Sequence, residues 1–153
     1  MYFCSGLKLL PMNDRILYPE LTMQHSVALQ TRFSDYDMFG HINNNSYMAF
    51  FDIGKTEFFR SVMGDACTPT QLSAVIVNIN VDFLAPALAG EPLSVSTAVI
   101  HVGDRSFTLY QRIVNPDTLS VKAQQTATLA GFDIAAQSSA PLSPELRDRL
   151  SRL

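Results

Sequence analysis

Between Arg32 and Tyr47 the chain reads Arg-Phe-Ser-Asp-Tyr-Asp-Met-Phe-Gly-His-Ile-Asn-Asn-Asn-Ser-Tyr. Two carboxylates two positions apart, Asp35 and Asp37, are followed by Gly40, His41 and three consecutive asparagines. A carboxylate at the end of an extended segment can take a proton from water or attack a carbonyl carbon. The first amides of a helix that follows have no intrahelical acceptor, and the helix dipole favours negative charge there. The Asn43–Ser46 backbone therefore suits the oxyanion that attack on a carbonyl creates. Each residue also has a structural reading. Asp35 is a turn-former or a partner of Arg32. Asp37, on residue type alone, fits a site and a turn equally. His41 orients water or substrate, or pins the loop, and asparagine side chains form loops and caps. Asp35, Asp37 and His41 could meet at a metal ion, but no ligand cluster later in the chain completes such a site, and no metal is expected.

The flanking elements must position this stretch. From His25 the residues alternate, with Val27, Leu29, Thr31 and Phe33 on one face, which predicts a strand. Gly40 to Asn45 reads as a loop. Asn45 or Ser46 then caps a helix from about Tyr47 to Met63, ended by Gly64. Tyr47, Phe50, Phe51, Gly54, Phe58 and Val62 share a broad apolar face. Asp52, Lys55, Thr56 and Arg60 lie opposite, but Met48, Phe59 and Met63 are mixed among them, so the helix should be buried. Gly54 at its middle costs about 1 kcal/mol in propensity, which predicts close approach of another backbone. Glu57 sits at the edge of the apolar face.

After the Pro69 loop the pattern turns to β. Val75, Val77, Ile79, Val81 and Phe83 alternate with polar or exposed positions, and further strands are expected over about 93–101, 105–115 and 119–132, with turns at Gly103-Asp104 and Asn115-Pro116-Asp117. Short spacers predict that consecutive strands are antiparallel neighbours, giving a four-stranded meander after the helix. A short exposed helix follows Pro144. One strand, a buried helix and a meander make an α+β fold in which a sheet of about five strands curls around the helix. The expected organisation is an irregular N-terminal extension over 1–24, loosely attached or packed on the outside, one domain over 25–135, and a C-terminal tail over 136–153.

Composition narrows the function class. The chain has 153 residues, 47% hydrophobic and 16% charged, with ten Phe and no Trp, which suits one globular domain with a phenyl-rich core or an apolar pocket. A net charge of −3 leaves no basic footprint for nucleic acid. Cys4 and Cys67 show no metal or disulfide spacing, so a reducing compartment is expected. The start lacks the pattern of a signal peptide, and no run is long enough to cross a bilayer, which points to a cytoplasmic protein with no membrane partner.

The pattern Arg32-x-x-Asp35-x-Asp37-x-x-Gly40-His41-Ile42-Asn43-Asn44, followed by Tyr47 and a helix, closely resembles the 4-hydroxybenzoyl-CoA thioesterase-like group of hotdog-fold acyl-CoA thioesterases. Val81-Asp82-Phe83-Leu84-Ala85-Pro86-Ala87, Gly90-Glu91-Pro92-Leu93 and Arg105-Ser106-Phe107 resemble it as well, so the likeness covers about residues 25–135. It implies hydrolysis of an acyl-CoA thioester to acid and coenzyme A with no cofactor. Asp37 matches the catalytic carboxylate, acting as nucleophile or general base, and Asn44 the position whose backbone N–H polarises the carbonyl. Around them the resemblance places His41, Gly40, Asn43 and Tyr47, and Arg105 with Ser106 at a position that meets coenzyme A phosphates in some members. A second hotdog subgroup takes its carboxylate from mid-helix, which makes Glu57 the alternative to Asp37. Relatives often carry Glu-x-Ala-Arg where this chain has Asp52-Ile-Gly-Lys55. A homodimer or homotetramer is also implied, with the site at a subunit boundary and Met48, Phe59 and Met63 available for that contact. Other readings are a hotdog hydratase or dehydratase on acyl-CoA or acyl-carrier protein, and a non-catalytic acyl-CoA-binding module.

Overall fold

A helix apolar on nearly all sides needs cover around most of its circumference, and here a curved sheet supplies it. The computed structural model describes residues 15–64 and 67–153. In chain order these form β1 (His25–Leu29), a 3-10 turn (Phe33–Asp35), α1 (Asn44–Met63), α2 (Pro69–Leu72), β2 (Ala74–Phe83), β3 (Leu93–Val102), β4 (Ser106–Val114), β5 (Val121–Asp133), the two-residue β6 (Ser138–Ser139) and α3 (Pro144–Ser151). The sheet order is β1-β3-β4-β5-β2, with β6 on β5 and every pairing antiparallel. This is the hotdog arrangement that the resemblance implies.

The sheet's inner face explains how α1 is held. Near the helix start, Tyr47, Phe50 and Phe51 pack on Leu93, Val95, Ile113 and Ala123. Near its end, Phe58 and Phe59 pack on Phe107, Leu109, Ala127 and Leu129. Between these apolar halves runs a buried polar row. Gln111 Nε2 donates to the Phe51 carbonyl and to Thr97 Oγ1, both at 3.0 Å, and Gln125 Nε2 donates to Gln111 Oε1 at 2.7 Å. An amide held on several sides in an apolar interior is costly to misplace, so this row fixes where α1 crosses the sheet. Gly54 makes the approach possible, because a Cβ there would stand 2.6 Å from Val95 Cγ2 and 2.8 Å from Gln111 Nε2.

Several expectations are corrected. Close approach at Gly54 comes from side chains, not from another backbone. The first strand ends at Leu29, and Phe33, expected to share a strand face with Val27 and Leu29, is 97% exposed in the 3-10 turn. The helix starts three residues early, capped by Asn43, whose side chain accepts from the Ser46 amide at 3.0 Å. Lys55, expected on a polar side, is only 5% exposed, with its ammonium 2.7 Å from Asp52. Its aliphatic stem covers apolar surface while the head reaches the carboxylate.

The meander has three strands, not four. β2 crosses to the far side and pairs with β5, so it forms one edge of the sheet. Its alternation breaks at a bulge between Ile76 and Asn78, a common device on edge strands. The C-terminal helix is not simply exposed, because Leu142, Leu146 and Leu150 are buried against the end of α1. Phe59 is spent in the same cluster and Met63 packs against it, which leaves only Met48 of the three proposed contact residues outside these clusters. Residues 15–24 lie across the outer face of the sheet. Gln124 Nε2 donates to the Arg15 carbonyl at 2.9 Å, Val99 N donates to Gln24 Oε1 at 2.8 Å, and Tyr18 meets the edge of Tyr110. The first fourteen residues of the expected extension fall outside the described residues.

Candidate active site

The sequence from Asp35 to Ser46 folds into a compact bracket before α1. Asp35 Oδ2 accepts from the Arg32 amide at 2.7 Å and Oδ1 accepts from Ser46 Oγ at 3.0 Å, while its carbonyl takes the Asn43 amide. It is a turn-former, and it ties the turn to the first turn of the helix. The Asp37 amide donates to the His41 carbonyl at 2.8 Å and Gly40 closes the turn with its amide on the Asp37 carbonyl at 3.0 Å. Gly40 has φ +73°, a conformation that glycine enters without the cost other residues meet.

This geometry leaves Asp37 half engaged. Its Oδ1 accepts from the Phe39 and His41 amides at 2.8 and 3.1 Å, and Oδ2 has no donor among the described residues. One oxygen is pinned, on a residue that is exposed. Asp37 lines a cavity of about 270 Å³ with His41, Asn44, Tyr47, Phe83 and Pro86. A second opening, of about 340 Å³, joins Asp37 to Asn43, Asn44 and Asn45. Asn43 takes the Ser46 and Tyr47 amides, the Asn44 amide, first in the helix, has no acceptor among the described residues, and Asn44 lines the same cavity as Asp37.

The opposite wall is braced from the sheet. The Ile42 amide donates to the Ala87 carbonyl and the Ala89 amide to the Gly40 carbonyl. Lys122, almost wholly buried, donates to the Pro86 carbonyl at 3.1 Å and to Glu91 at 3.0 Å. Partial burial of Glu91 works to raise its pKa, but the Lys122 and Leu88 hydrogen bonds and the Lys122 charge outweigh it, and the carboxyl is held below its ordinary range. Tyr47 packs on Phe83 with ring centroids 5.4 Å apart. Burial pushes its hydroxyl pKa up, against a hydrogen bond with the Ala87 backbone and together with the Glu91 charge. Sequence reasoning passed over Lys122 and gave Glu91 no role beyond its place in Gly90-Glu91-Pro92-Leu93. A lysine set between Val121 and Ala123 in a core strand was the available signal, since a buried ammonium requires a partner.

The structure therefore gathers Asp37, Gly40, His41, Asn43, Asn44 and Tyr47 in one place. It does not gather the others. Glu57 lies thirteen residues along α1 from Asn44, roughly 20 Å away by helical rise, and is paired with Arg60. Arg105 is exposed, donating to Ser139 Oγ at 2.8 Å, and Ser106 is paired with Ala130 at the end of the sheet away from Phe83. Phe83 is level with Ala123 on β5, seven residues before Ala130, so the two ends stand about 23 Å apart. Among the described residues, no group of three or more histidine, cysteine or acidic side chains could hold a metal ion, and no helix is long and apolar enough to cross a membrane.

A curved sheet around one long helix, with the helix N-terminus and a carboxylate lining one cavity, presents the kinds of group that acyl transfer uses. Residues 31–150 match the model of the thioesterase-like superfamily, and the chain belongs to that family. It is 25% identical over 126 residues to the long-chain acyl-CoA thioesterase FadM of Escherichia coli K12, covering 82% of this chain and 96% of that one. Its fold matches a Thermus thermophilus thioesterase complexed with coenzyme A and zinc, with a TM-score of 0.73 at 22% identity over 83% of this chain and 91% of that one. A 1,4-dihydroxy-2-naphthoyl-CoA thioesterase from Synechocystis matches with a TM-score of 0.73 at 17% identity, over 84% and 96%.

Proposed function

We propose that this thioesterase hydrolyses acyl-CoA to a carboxylic acid and coenzyme A, with Asp37 as the reacting carboxylate and the Asn44 amide as oxyanion donor. The observation that carries this reading is the division of labour in Asp37, whose Oδ1 is fixed by two amides while Oδ2 has no donor among the described residues, on a residue that lines a cavity with Asn44. As general base, Oδ2 takes a proton from water as the oxygen attacks the thioester carbonyl. The negative charge moves to the carbonyl oxygen, where the Asn44 amide and the helix dipole meet it. Collapse breaks the C–S bond, and the departing thiolate recovers the proton from Asp37. The nucleophilic route forms an aspartyl anhydride first and ends with the same products once water cleaves it. Either route needs water and no cofactor, in a cytoplasmic enzyme.

The resemblance and the relatives' names support a coenzyme A substrate. About 23 Å of sheet separates the Arg105 end from the Phe83 end, so contact of Arg105 with coenzyme A phosphates would need an extended ligand or a second copy. The free edge of β2, with Val75, Ile76, Val77 and Phe83 exposed, supports a homodimer, or a tetramer built from such dimers, joined edge to edge through this strand. Asp37→Asn tests the chemistry. The amide oxygen can still accept from Phe39 and His41, so the melting temperature should stay near that of wild type while kcat/KM falls about 10²–10⁴-fold. Wild-type turnover in that variant would remove Asp37 from the mechanism and turn attention to Glu57.

A further inference from the structure

One wall of the cavity shared by Asp37 and Asn44 comes from outside the bracket, from Phe83, Leu84, Ala85 and Pro86 where the chain leaves β2. β2 is an edge strand, so its ladder with β5 holds it from one side only. Past Phe83 the hold narrows further. The Leu84 and Ala85 amides both donate to the Lys122 carbonyl, at 2.8 and 3.1 Å, and the Lys122 ammonium donates to the Pro86 carbonyl at 3.1 Å. These contacts meet at one residue, about which the wall can tilt.

A further hold stands two residues along β5, on the face of the sheet turned away from α1. Gln125 points inward to Gln111, so its neighbour Gln124 points outward. Gln124 Nε2 donates to Asp82 Oδ2, next to Phe83, and to the Arg15 carbonyl, both at 2.9 Å. Its Oε1 accepts from the Leu17 amide at 3.1 Å and from the Tyr110 hydroxyl at 2.9 Å. A primary amide offers two donor hydrogens and two acceptor lone pairs, and here all four are taken. Gln124 and Tyr110 have no exposed surface, and Tyr18 packs on the edge of the Tyr110 ring with centroids 4.9 Å apart. A buried amide satisfied on every side keeps one orientation. Arg15, Leu17 and Tyr18 lie ahead of the family-matched region, which begins at residue 31.

We propose, on the thioesterase reading above, that Gln124 is a positioning residue of the site: it holds the Phe83–Pro86 wall through Asp82, and the Arg15–Leu17 segment takes part by fixing its amide.

The place of the wall sets the expected effect. Phe83 packs on Tyr47 and lines the cavity, while Asp37 and the start of α1 are held by the bracket's own bonds. A tilted wall therefore weakens binding of substrate and transition state alike, which raises KM and leaves kcat. A merely structural role for Gln124 would do the reverse, since a smaller folded fraction lowers apparent kcat at constant KM.

Asp82→Ala and Asp82→Asn separate the bond from the charge. Both remove the same negative charge, but the asparagine oxygen can still accept from Gln124 Nε2. Asp82 is exposed, and in the alanine variant Nε2 keeps the Arg15 carbonyl, so both proteins should fold. Wild type is assayed on butyryl-, octanoyl- and palmitoyl-CoA, and the variants on the thioester it turns over best. Asp82→Ala should raise KM more than about three-fold with kcat within about two-fold, and Asp82→Asn should match wild type in both. Leu17→Pro deletes the amide that Gln124 Oε1 accepts from and should raise KM in the same direction. Amide exchange followed by NMR gives a measure that needs no turnover: Leu84 and Ala85 should exchange faster in Asp82→Ala and Leu17→Pro than in wild type or Asp82→Asn. A wild-type KM in Asp82→Ala would overturn the proposal, as would equal effects of the two Asp82 substitutions or unchanged exchange at Leu84 and Ala85. A wild-type KM in Leu17→Pro would overturn the part assigned to the Arg15–Leu17 segment. Wild-type protein inert on all three thioesters would overturn the acyl-CoA reading instead, and the exchange rates would still decide the role of Gln124.

Discussion

Replacing Gly54 with alanine should destabilise this protein, although helix propensity alone predicts the reverse. In an unconstrained helix interior the change favours folding by about 1 kcal/mol. Here the added Cβ would stand 2.6 and 2.9 Å from the two methyls of Val95 and 2.8 Å from Gln111 Nε2. Val95 is fully buried beneath α1 and has nowhere open to move. Overpacking of this kind costs about 1–3 kcal/mol. Displacing Gln111 also strains its bonds to the Phe51 carbonyl and Thr97, worth about 1 kcal/mol each. The balance is a net loss of about 2 kcal/mol, or about 4–8 °C in Tm for a domain of this size. Thermal melts at matched protein concentration measure it, because association would otherwise move Tm. Val95→Ala should recover part of the loss when combined with Gly54→Ala, a coupling that a double-mutant cycle reads directly. A Gly54→Ala protein that melts at or above the wild-type temperature would refute the claim that α1 is seated on Val95 and Gln111. The same displacement would shift the Asn44 amide, so kcat should fall in the variant at temperatures where it remains folded.

Two further outcomes follow from the site wall and the sheet edge. Because Glu91 is held below its ordinary carboxylate range, its contribution to stability is complete above that range and is lost as pH falls through the lowered folded value. The urea midpoint of wild type should therefore exceed that of Glu91→Gln near neutrality, with the difference shrinking in acid; a gap that is constant with pH would show that Glu91 does not act through its charge on Lys122. Val77→Lys puts a charge at the exposed bulge of β2, where an approaching strand would meet it. Sedimentation should show a smaller species than wild type, and an unchanged mass would move the subunit contact away from this edge.

Local signals in the sequence recovered the elements but not their partners. Periodicity marked α1 and the strands, and Gly64 marked the helix end, because these depend on neighbours a few residues away. The place of β2 did not follow from short spacers, since residues 84–92 are long enough to carry the chain across the sheet and its pairing with β5 spans some fifty positions. Phe33 was misplaced for a related reason. Its apolar side chain continued the alternation, while Asp35 accepting from the Arg32 amide turned the backbone into a 3-10 bend.

The site divides along the same line. Asp37, Gly40, His41, Asn43, Asn44 and Tyr47 lie within eleven residues of one another, so a motif can describe them together. Glu91 and Lys122 brace the cavity from two other elements, and no spacing rule joins them to Asp37. Arg105 sits at the opposite end of the sheet from Asp37. The proposed two-fold contact through β2 would reverse the strand and bring that distant end toward Asp37 of the second copy. A motif within one chain can therefore carry the proposed reacting groups, while groups set by a subunit contact would leave no local pattern to read.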